Sequence, residues 1–92
     1  MTHGMKEIYL TIVSPERTLF EGKVAWVACP GTAGKFQVLP DHAPLISSLT
    51  EGEVRFMNVE TSQEKKDEIQ SIAVKGGFVE VRDNRVSVCA EQ

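Results

Sequence analysis

Apolar and polar residues alternate along most of this 92-residue chain, a pattern that is typical of half-buried β-strands. In residues 6–13, for example, Ile8, Leu10 and Ile12 fall on one face of an extended segment, and the residues between them fall on the other. Residues 24–29 are mostly apolar and include β-branched side chains, which favours a well-buried strand. The segments that we predict to be strands are 6–13, 17–21, 24–29, 35–39, 45–49, 53–59, 68–75, 78–82 and 85–90.

Glycine, proline and short polar residues separate these segments. Gly22 closes the second segment, and Pro30-Gly31 ends the third, because both residue types interrupt regular structure. Asp83-Asn84 lies between two alternating segments and predicts a two-residue hairpin turn.

Strands at short, regular spacing without a convincing helical segment predict an all-β fold. Residues 60–67 contain no apolar side chain and indicate a solvated loop between two strands. Apolar residues face both ways in several strands, so two sheets packed face to face fit better than one open sheet. We therefore predict a single β-sandwich domain over residues 1–92, with about nine to ten short strands in two sheets.

Composition narrows the class of protein. Apolar residues make up 41% of the chain, which is enough for a compact core, and charged residues make up 25%. The net charge of -3 argues against nucleic-acid binding, which usually requires a basic surface. There is no apolar run of about 20 residues, and residues 1–6 lack the apolar core of a signal peptide. We expect no transmembrane helix and, by default, a cytosolic location.

The two cysteines, Cys29 and Cys89, are too few for a disulfide framework. Each lies in an apolar, strand-like segment, so we predict two buried free thiols, with a disulfide bridge or a metal site as the alternatives. A zinc site that combines them with His3 and His42 would lack any paired ligand spacing. We expect neither a metal nor another cofactor.

The loop at residues 40–44 is the most informative stretch. Pro40 and Pro44 bias their preceding residues away from helix and hold the loop open between two apolar strands. A braced loop with a charged tip suits a contact surface. His42 beside Asp41 does not define a catalytic triad, because a triad is a matter of geometry and not of adjacency.

This loop and its flanks resemble the epsilon subunit of F-type ATP synthases, which carries the pattern P-G-x-x-G-x-x-x-(L/Y)-P-x-H-A-P-L. Further matching segments occur in the same order on both sides, at residues 13–16, 19–22, 51–55 and 73–81. The resemblance therefore covers nearly the whole chain. The matching loop residues are Pro30, Gly31, Gly34, Leu39, Pro40, His42, Ala43, Pro44 and Leu45.

The resemblance implies a flattened β-sandwich and a role without catalysis. In this family the subunit sits at the foot of the central stalk, on the cytoplasmic face of the inner (plasma) membrane. It binds the gamma subunit and the rotor ring of membrane subunits, and it couples proton-driven rotation to the catalytic head. Many members continue into two C-terminal helices, whereas this sequence ends at Gln92. We therefore expect no ATP binding and no inhibition by helix insertion.

The resemblance also implies which residues meet the gamma subunit and the ring. We expect Trp26 to share a strand face with Val24 and Ala28, either as a core residue or as an exposed interface anchor. The family often has a small or polar residue there, which favours the outward face. The candidate interface residues are Trp26, Gly31, Gly34, Lys35, Pro40, Asp41, His42, Ala43 and Pro44.

Three positions depart from the family pattern. Lys35 stands where an acidic residue is frequent, which suggests a compensating acid on the ring. Gln37 and Asp41 stand where glycine is common.

Two other functions are compatible with a small β-sandwich, because a fold does not fix a function. The first is a stand-alone binding module for a peptide or a carbohydrate. A sugar site is expected to show aromatic platforms, and this chain has one tryptophan, one tyrosine and four phenylalanines. The second is a small hydrolase built around His42, which would require a pocket with a perturbed histidine.

Overall fold

The structure, a computed structural model, describes residues 6–59 and 69–92, and its regular elements are all β-strands. The all-β prediction is confirmed. His3 and the predicted loop at 60–67 lie outside the described residues. The strands are β1 (Ile8–Val13), β2 (Thr18–Gly31), β3 (Gly34–Val38), β4 (Leu45–Leu49), β5 (Gly52–Asn58), β6 (Ile69–Val74), β7 (Gly76–Arg82) and β8 (Arg85–Glu91).

Strand β2, with 14 residues, connects the two halves of the molecule. Its first half pairs antiparallel with β1, and its second half lies between β3 and β5. Its last residue, Gly31, also pairs with Leu49 of β4. The strand order β1-β8-β7-β4-β2-β5-β6 therefore forms one continuous sheet, with β3 added beside β2 and β1 paired with both β8 and β2. The predicted β-sandwich is confirmed, but β2 joins its two layers by hydrogen bonds.

All eight strands contribute side chains to a single hydrophobic core. The alternation predicted for β1, β5, β7 and β8 holds, and no polar or charged side chain among the described residues is buried. Phe56 is the largest fully buried side chain and packs against the ring of Phe20 at a centroid distance of 4.4 Å. Each fully buried valine, leucine, isoleucine or phenylalanine contributes about 1.5–3 kcal/mol. That one domain spans residues 1–92 stays a prediction.

The predicted strand breaks at Gly22 and at Pro30 were wrong, because β2 runs through both residues. Gly22 is buried and lies opposite Leu10 of β1, whose pairing keeps the chain extended there. Pro30 lies opposite Lys35 of β3, and its carbonyl accepts a hydrogen bond from the N–H of Thr50 at 2.8 Å. This fusion of two predicted strands reduces the number in the described residues to eight.

A β-bulge near Trp26 alters the face assignment in β2. Between Val24 and Val27 the chain advances three residues, whereas β5 advances two residues, from Asn58 to Phe56. Val24 and Val27 are consequently both buried in the core. The prediction that Val24 and Trp26 share a face was wrong, because strict alternation assumes that no extra residue is inserted.

We expect Phe56→Ala to destabilise the domain by about 3–5 kcal/mol, because it leaves a cavity in the core and removes the contact with Phe20. Urea unfolding followed by circular dichroism measures this loss. Ile46→Ala is the matched control: Ile46 is 75% exposed, and its truncation should change stability by no more than about 0.5 kcal/mol. Equal losses in the two variants would contradict the assignment of Phe56 to the core.

Candidate partner interface

The loop between β3 and β4 contains a defined turn. The N–H of His42 donates to the carbonyl oxygen of Leu39 at 3.2 Å, which closes a four-residue turn with Pro40 in the second position. Asp41, in the third position, has a φ of 67°. This is the arrangement of a type II turn, in which glycine is preferred at the third position. Nδ1 of His42 also donates to the carbonyl of Ala43 at 2.7 Å, so the ring orientation is fixed.

The side chain and backbone of Asp41 fasten this turn to two distant parts of the chain. Its carboxylate accepts hydrogen bonds from Nζ of Lys6 at 2.8 Å and from Nδ2 of Asn84 at 3.1 Å. Its backbone N–H donates to Oδ1 of the same Asn84 at 2.6 Å. We call Lys6, Asp41 and Asn84 the Asp41 clamp. Sequence reasoning missed Lys6 and Asn84, because neither belongs to the loop motif.

The clamp also sets the charge of Asp41. The hydrogen bond from Lys6, followed by the hydrogen bond from Asn84, lowers the pKa of Asp41 below its ordinary value of 3.8. The carboxylate is therefore charged at neutral pH and remains an acceptor for both partners.

Asn84 is itself placed by a tight turn. Asp83 and Asn84 have φ values of 52° and 60°, which are the left-handed values of a type I′ hairpin turn. The predicted two-residue turn between β7 and β8 is therefore confirmed. The carbonyl of Asn84 accepts a hydrogen bond from the N–H of Tyr9 at 2.9 Å, so this turn is also joined to β1.

The hairpin between β2 and β3 forms a second fixed tip. A side chain at Gly31 would lie 2.7 Å from the carbonyl oxygen of Gly34, and Gly34 has a φ of 136°, so both positions require glycine. Thr32 donates its N–H to the carbonyl of Ser48 at 3.1 Å, and the two hydroxyl groups lie 2.8 Å apart. The next residue after this tip, Lys35, is exposed.

The candidate loop residues fall into two groups at opposite ends of β3, about 13 Å apart for a strand of this length. Gly31, Gly34 and Lys35 line a groove of about 590 Å³. Asp41, His42, Ala43 and Pro44 line a second concavity, of about 510 Å³, together with the β7–β8 turn. Pro40 is half-buried beside it.

Trp26 belongs to neither group. It is half-buried at the bulge in β2, and it is absent from the cluster of buried side chains in the described residues. Of the two predicted alternatives, a core residue or an exposed anchor, the core position is therefore wrong for Trp26. Its role as a partner contact stays a prediction.

An exposed apolar surface was not predicted. We call the outward-facing residues Val13, Ile46, Phe78 and Cys89 of β1, β4, β7 and β8 the Phe78 face; Ser48 and Glu80 lie beside them in the register. Phe78 is 60% exposed and Ile46 is 75% exposed, and the strand register makes them diagonal neighbours. The register extends the face from Phe78 to Cys89 and on to Val13. The sequence does contain a sign of this surface. Ile46 and Phe78 alternate with inward residues, so they occupy outward strand positions, which are usually polar.

The two cysteines differ in environment, and both are free thiols. Burial raises the pKa of Cys29 to about 12, so that thiol stays protonated. Cys89 is exposed, which corrects the prediction that it is buried: it alternates with the inward-facing Val88 and Ala90 of β8.

The described residues were also compared with the requirements of a metal site and of a membrane-spanning helix. In residues 6–59 and 69–92, no group of three histidine, cysteine, aspartate or glutamate side chains is placed to hold a metal ion. Over the same ranges, no helix has the length and apolar character needed to cross a membrane.

These features define the class of the chain: a small β-sandwich with two tied loop tips at the ends of β3 and an exposed outer face around Phe78. The family model described as the beta-sandwich domain of the ATP synthase delta/epsilon chain matches residues 7–92. The chain belongs to this family, and the resemblance found in the loop motif is confirmed.

Curated relatives support the same family. The ATP synthase epsilon chain of Pelotomaculum thermopropionicum is 43% identical over 81 residues, a match that covers 88% of this chain and 55% of the relative. The ATP synthase epsilon chain of Leptospira borgpetersenii is 35% identical over 85 residues, a match that covers 92% of this chain and 61% of the relative. The chain thus spans somewhat more than half the length of these relatives.

Two solved structures share the fold. A chain of the Euglena gracilis mitochondrial ATP synthase, in a structure of OSCP, F1 and c-ring, matches with a TM-score of 0.81 at 19% identity, covering 94% of this chain and 51% of that chain. A chain of the Tetrahymena thermophila mitochondrial ATP synthase central stalk and c-ring matches with a TM-score of 0.73 at 13% identity. The match covers 98% of this chain and 67% of that chain. At these identities the likeness concerns the fold.

We expect one of the two thiols to react rapidly with a disulfide reagent under native conditions. The thiolate is the reactive species, and burial keeps Cys29 protonated whereas Cys89 is accessible. Absorbance of the released thiolate measures the number of fast sites. Cys89→Ser should abolish the fast phase, and a fast phase that persisted in this variant would contradict the assignment.

We expect the pKa of Asp41 to lie below 3.8 in the native chain and to rise towards this value in Lys6→Gln. Because folding lowers the pKa, the clamp contributes its full stabilisation above pH 3.8 and loses it as the pH falls through the lowered pKa. A carbon-13 NMR titration of the carboxyl group measures both values. Lys35→Gln is the control and should leave Asp41 unchanged, and an unshifted Asp41 in the native chain would contradict the clamp.

Proposed function

We propose that this chain acts as a non-catalytic central-stalk subunit of a proton-translocating F-type ATP synthase. In this role it binds the gamma subunit and the rotor ring of membrane subunits, and it couples ring rotation to ATP synthesis in the catalytic head. The observation that carries the proposal is the family match over residues 7–92. We further propose that it works as a peripheral protein on the cytoplasmic face of the inner (plasma) membrane.

The task in this proposal is mechanical, and the fold suits it. A coupling subunit must keep its shape while torque passes through its interfaces. Here one hydrogen-bonded sheet encloses one core, so the strands cannot slide independently without breaking backbone pairs. Both loops that we assign to partners are also tied by hydrogen bonds to other parts of the fold: Thr32 to Ser48 of β4, and Asp41 to Asn84 of the β7–β8 turn.

We assign the two kinds of surface to two partners. Permanent interfaces are more apolar than the rest of a protein surface, so the Phe78 face suits the gamma subunit. The two loop groups at the ends of β3 carry the charged side chains of Lys35 and Asp41, and they suit the polar loops that the family resemblance implies for the ring. In this arrangement Lys35 pairs with an acidic residue of the ring, as its exposure allows.

We expect Phe78→Asp to weaken binding to the complex at least tenfold, because it places a charge in an apolar contact. A tenfold loss corresponds to about 1.4 kcal/mol, which is modest for a central aromatic residue. The measurement uses ATP synthase stripped of its epsilon subunit in membrane vesicles, to which the chain is added. Co-sedimentation gives the affinity, and proton-driven ATP synthesis gives the coupling.

Ile69→Asp is the matched control. Ile69 is also a large apolar side chain that is exposed (45%), but it lies on β6, at the other end of the strand order. It should bind as the native chain does. Equal binding by the Phe78 and Ile69 variants would overturn the assignment of the Phe78 face. Failure of the native chain to bind the stripped complex would overturn the proposed function.

A further inference from the structure

Asn84 is not one of the interface residues predicted from the sequence, yet it lines the same concavity as Asp41 and holds the loop at its centre. The two residues Asn84 and Asp41 are 43 positions apart in the sequence. They exchange hydrogen bonds in both directions: the N–H of Asp41 donates to Oδ1 of Asn84 at 2.6 Å, and Nδ2 of Asn84 donates to Oδ1 of Asp41 at 3.1 Å. Both the backbone and the side chain of Asp41 are therefore fixed by one amide group.

Asp41 requires such support because of its backbone conformation. Its φ of 67° lies in the left-handed region, which residues with a Cβ adopt at a cost and glycine adopts freely. Without external contacts, Pro40-Asp41 would populate other turn conformations, and the hydrogen bond from His42 to Leu39 would open in part. The directions of His42, Ala43 and Pro44 depend on that turn.

Asparagine is suited to both tasks at position 84. The turn between β7 and β8 needs a residue that tolerates a φ of 60°, and asparagine and glycine are the usual choices. Of these, asparagine alone has a side chain that accepts one hydrogen bond and donates another. An aspartate there would instead face the carboxylate of Asp41.

We propose that Asn84 is a positioning residue for the partner-binding loop at residues 39–44. This inference rests on the proposed function, in which that loop contacts the rotor ring. By holding Asp41 in one conformation, Asn84 presents His42, Ala43 and Pro44 already ordered, so less conformational freedom is lost when the partner binds. Lys6 supports the same carboxylate from the other side, at 2.8 Å.

The first test is amide hydrogen exchange of the 92-residue chain by NMR. Asn84→Gly keeps the left-handed turn but removes the side chain. We expect it to accelerate exchange at the amides of Asp41 and His42 at least tenfold, and to leave the amide of Val79 in β7 unchanged. Asp83→Gly is the matched control: it alters the same turn at a residue whose carboxylate pairs with Arg82 at 3.6 Å and not with the clamp.

A rescue separates positioning from general stability. In the double variant Asp41→Gly with Asn84→Gly, glycine adopts the required φ at position 41 without support. We expect slow exchange at His42 to return, although no side chain joins the two loops. A structural defect of the β7–β8 turn would not be repaired by a change at position 41.

The second test is binding to stripped ATP synthase in vesicles. We expect Asn84→Gly to bind at least fivefold more weakly than the native chain, Ile69→Asp to bind normally, and the double variant to recover most of the loss. Unchanged exchange in Asn84→Gly overturns the proposal, and so does accelerated exchange with native affinity. If the native chain itself does not bind, the proposed function falls, while the exchange data still decide whether Asn84 holds the loop.

Discussion

The backbone pairing of β2 is the constraint on which the rest of the structure depends. This one strand pairs with β1, β3, β4 and β5, and so it belongs to both layers of the sandwich. The bulge between Val24 and Val27 allows it to bend while both valines stay in the core. At its end, the hairpin at Gly31 and Gly34 sets where β3 begins, and thus where the loops at both ends of β3 lie.

The loops are rigid for reasons that differ from those of the core. Burial holds the strands together, whereas the loop tips are exposed and depend on hydrogen bonds to a neighbouring strand or turn. The tip at Thr32 is tied to Ser48, and the tip at Asp41 is tied to Asn84. In each case backbone donors are satisfied together with side-chain groups, so the loop keeps one shape without a large apolar contact. A loop that is ordered before binding suits the proposed function, in which the subunit must stay bound while force is applied.

The outer surface combines two kinds of chemistry. The ends of β3 present the charged side chains of Lys35 and Asp41, whereas the Phe78 face presents the exposed apolar side chains of Phe78 and Ile46. In the proposed function this difference separates two contacts, because a central-stalk subunit would meet both the gamma subunit and the rotor ring. Cys89 lies within the apolar face, and its exposure follows from the alternation of β8 around Val88 and Ala90.

The sequence by itself determined the elements whose causes are local. Alternation identified the inward residues of β1, β5, β7 and β8, the apolar residues of Leu45–Leu49 indicated β4, and Asp83-Asn84 indicated the hairpin turn. The ordered motif around the proline loop identified the family. Only the tertiary structure decided that β2 continues through Gly22 and Pro30, that a bulge displaces Trp26, and that Asn84 holds Asp41. The physical reason is that periodicity reports the environment of near neighbours, whereas these features depend on strand register and on hydrogen bonds between residues far apart in the chain.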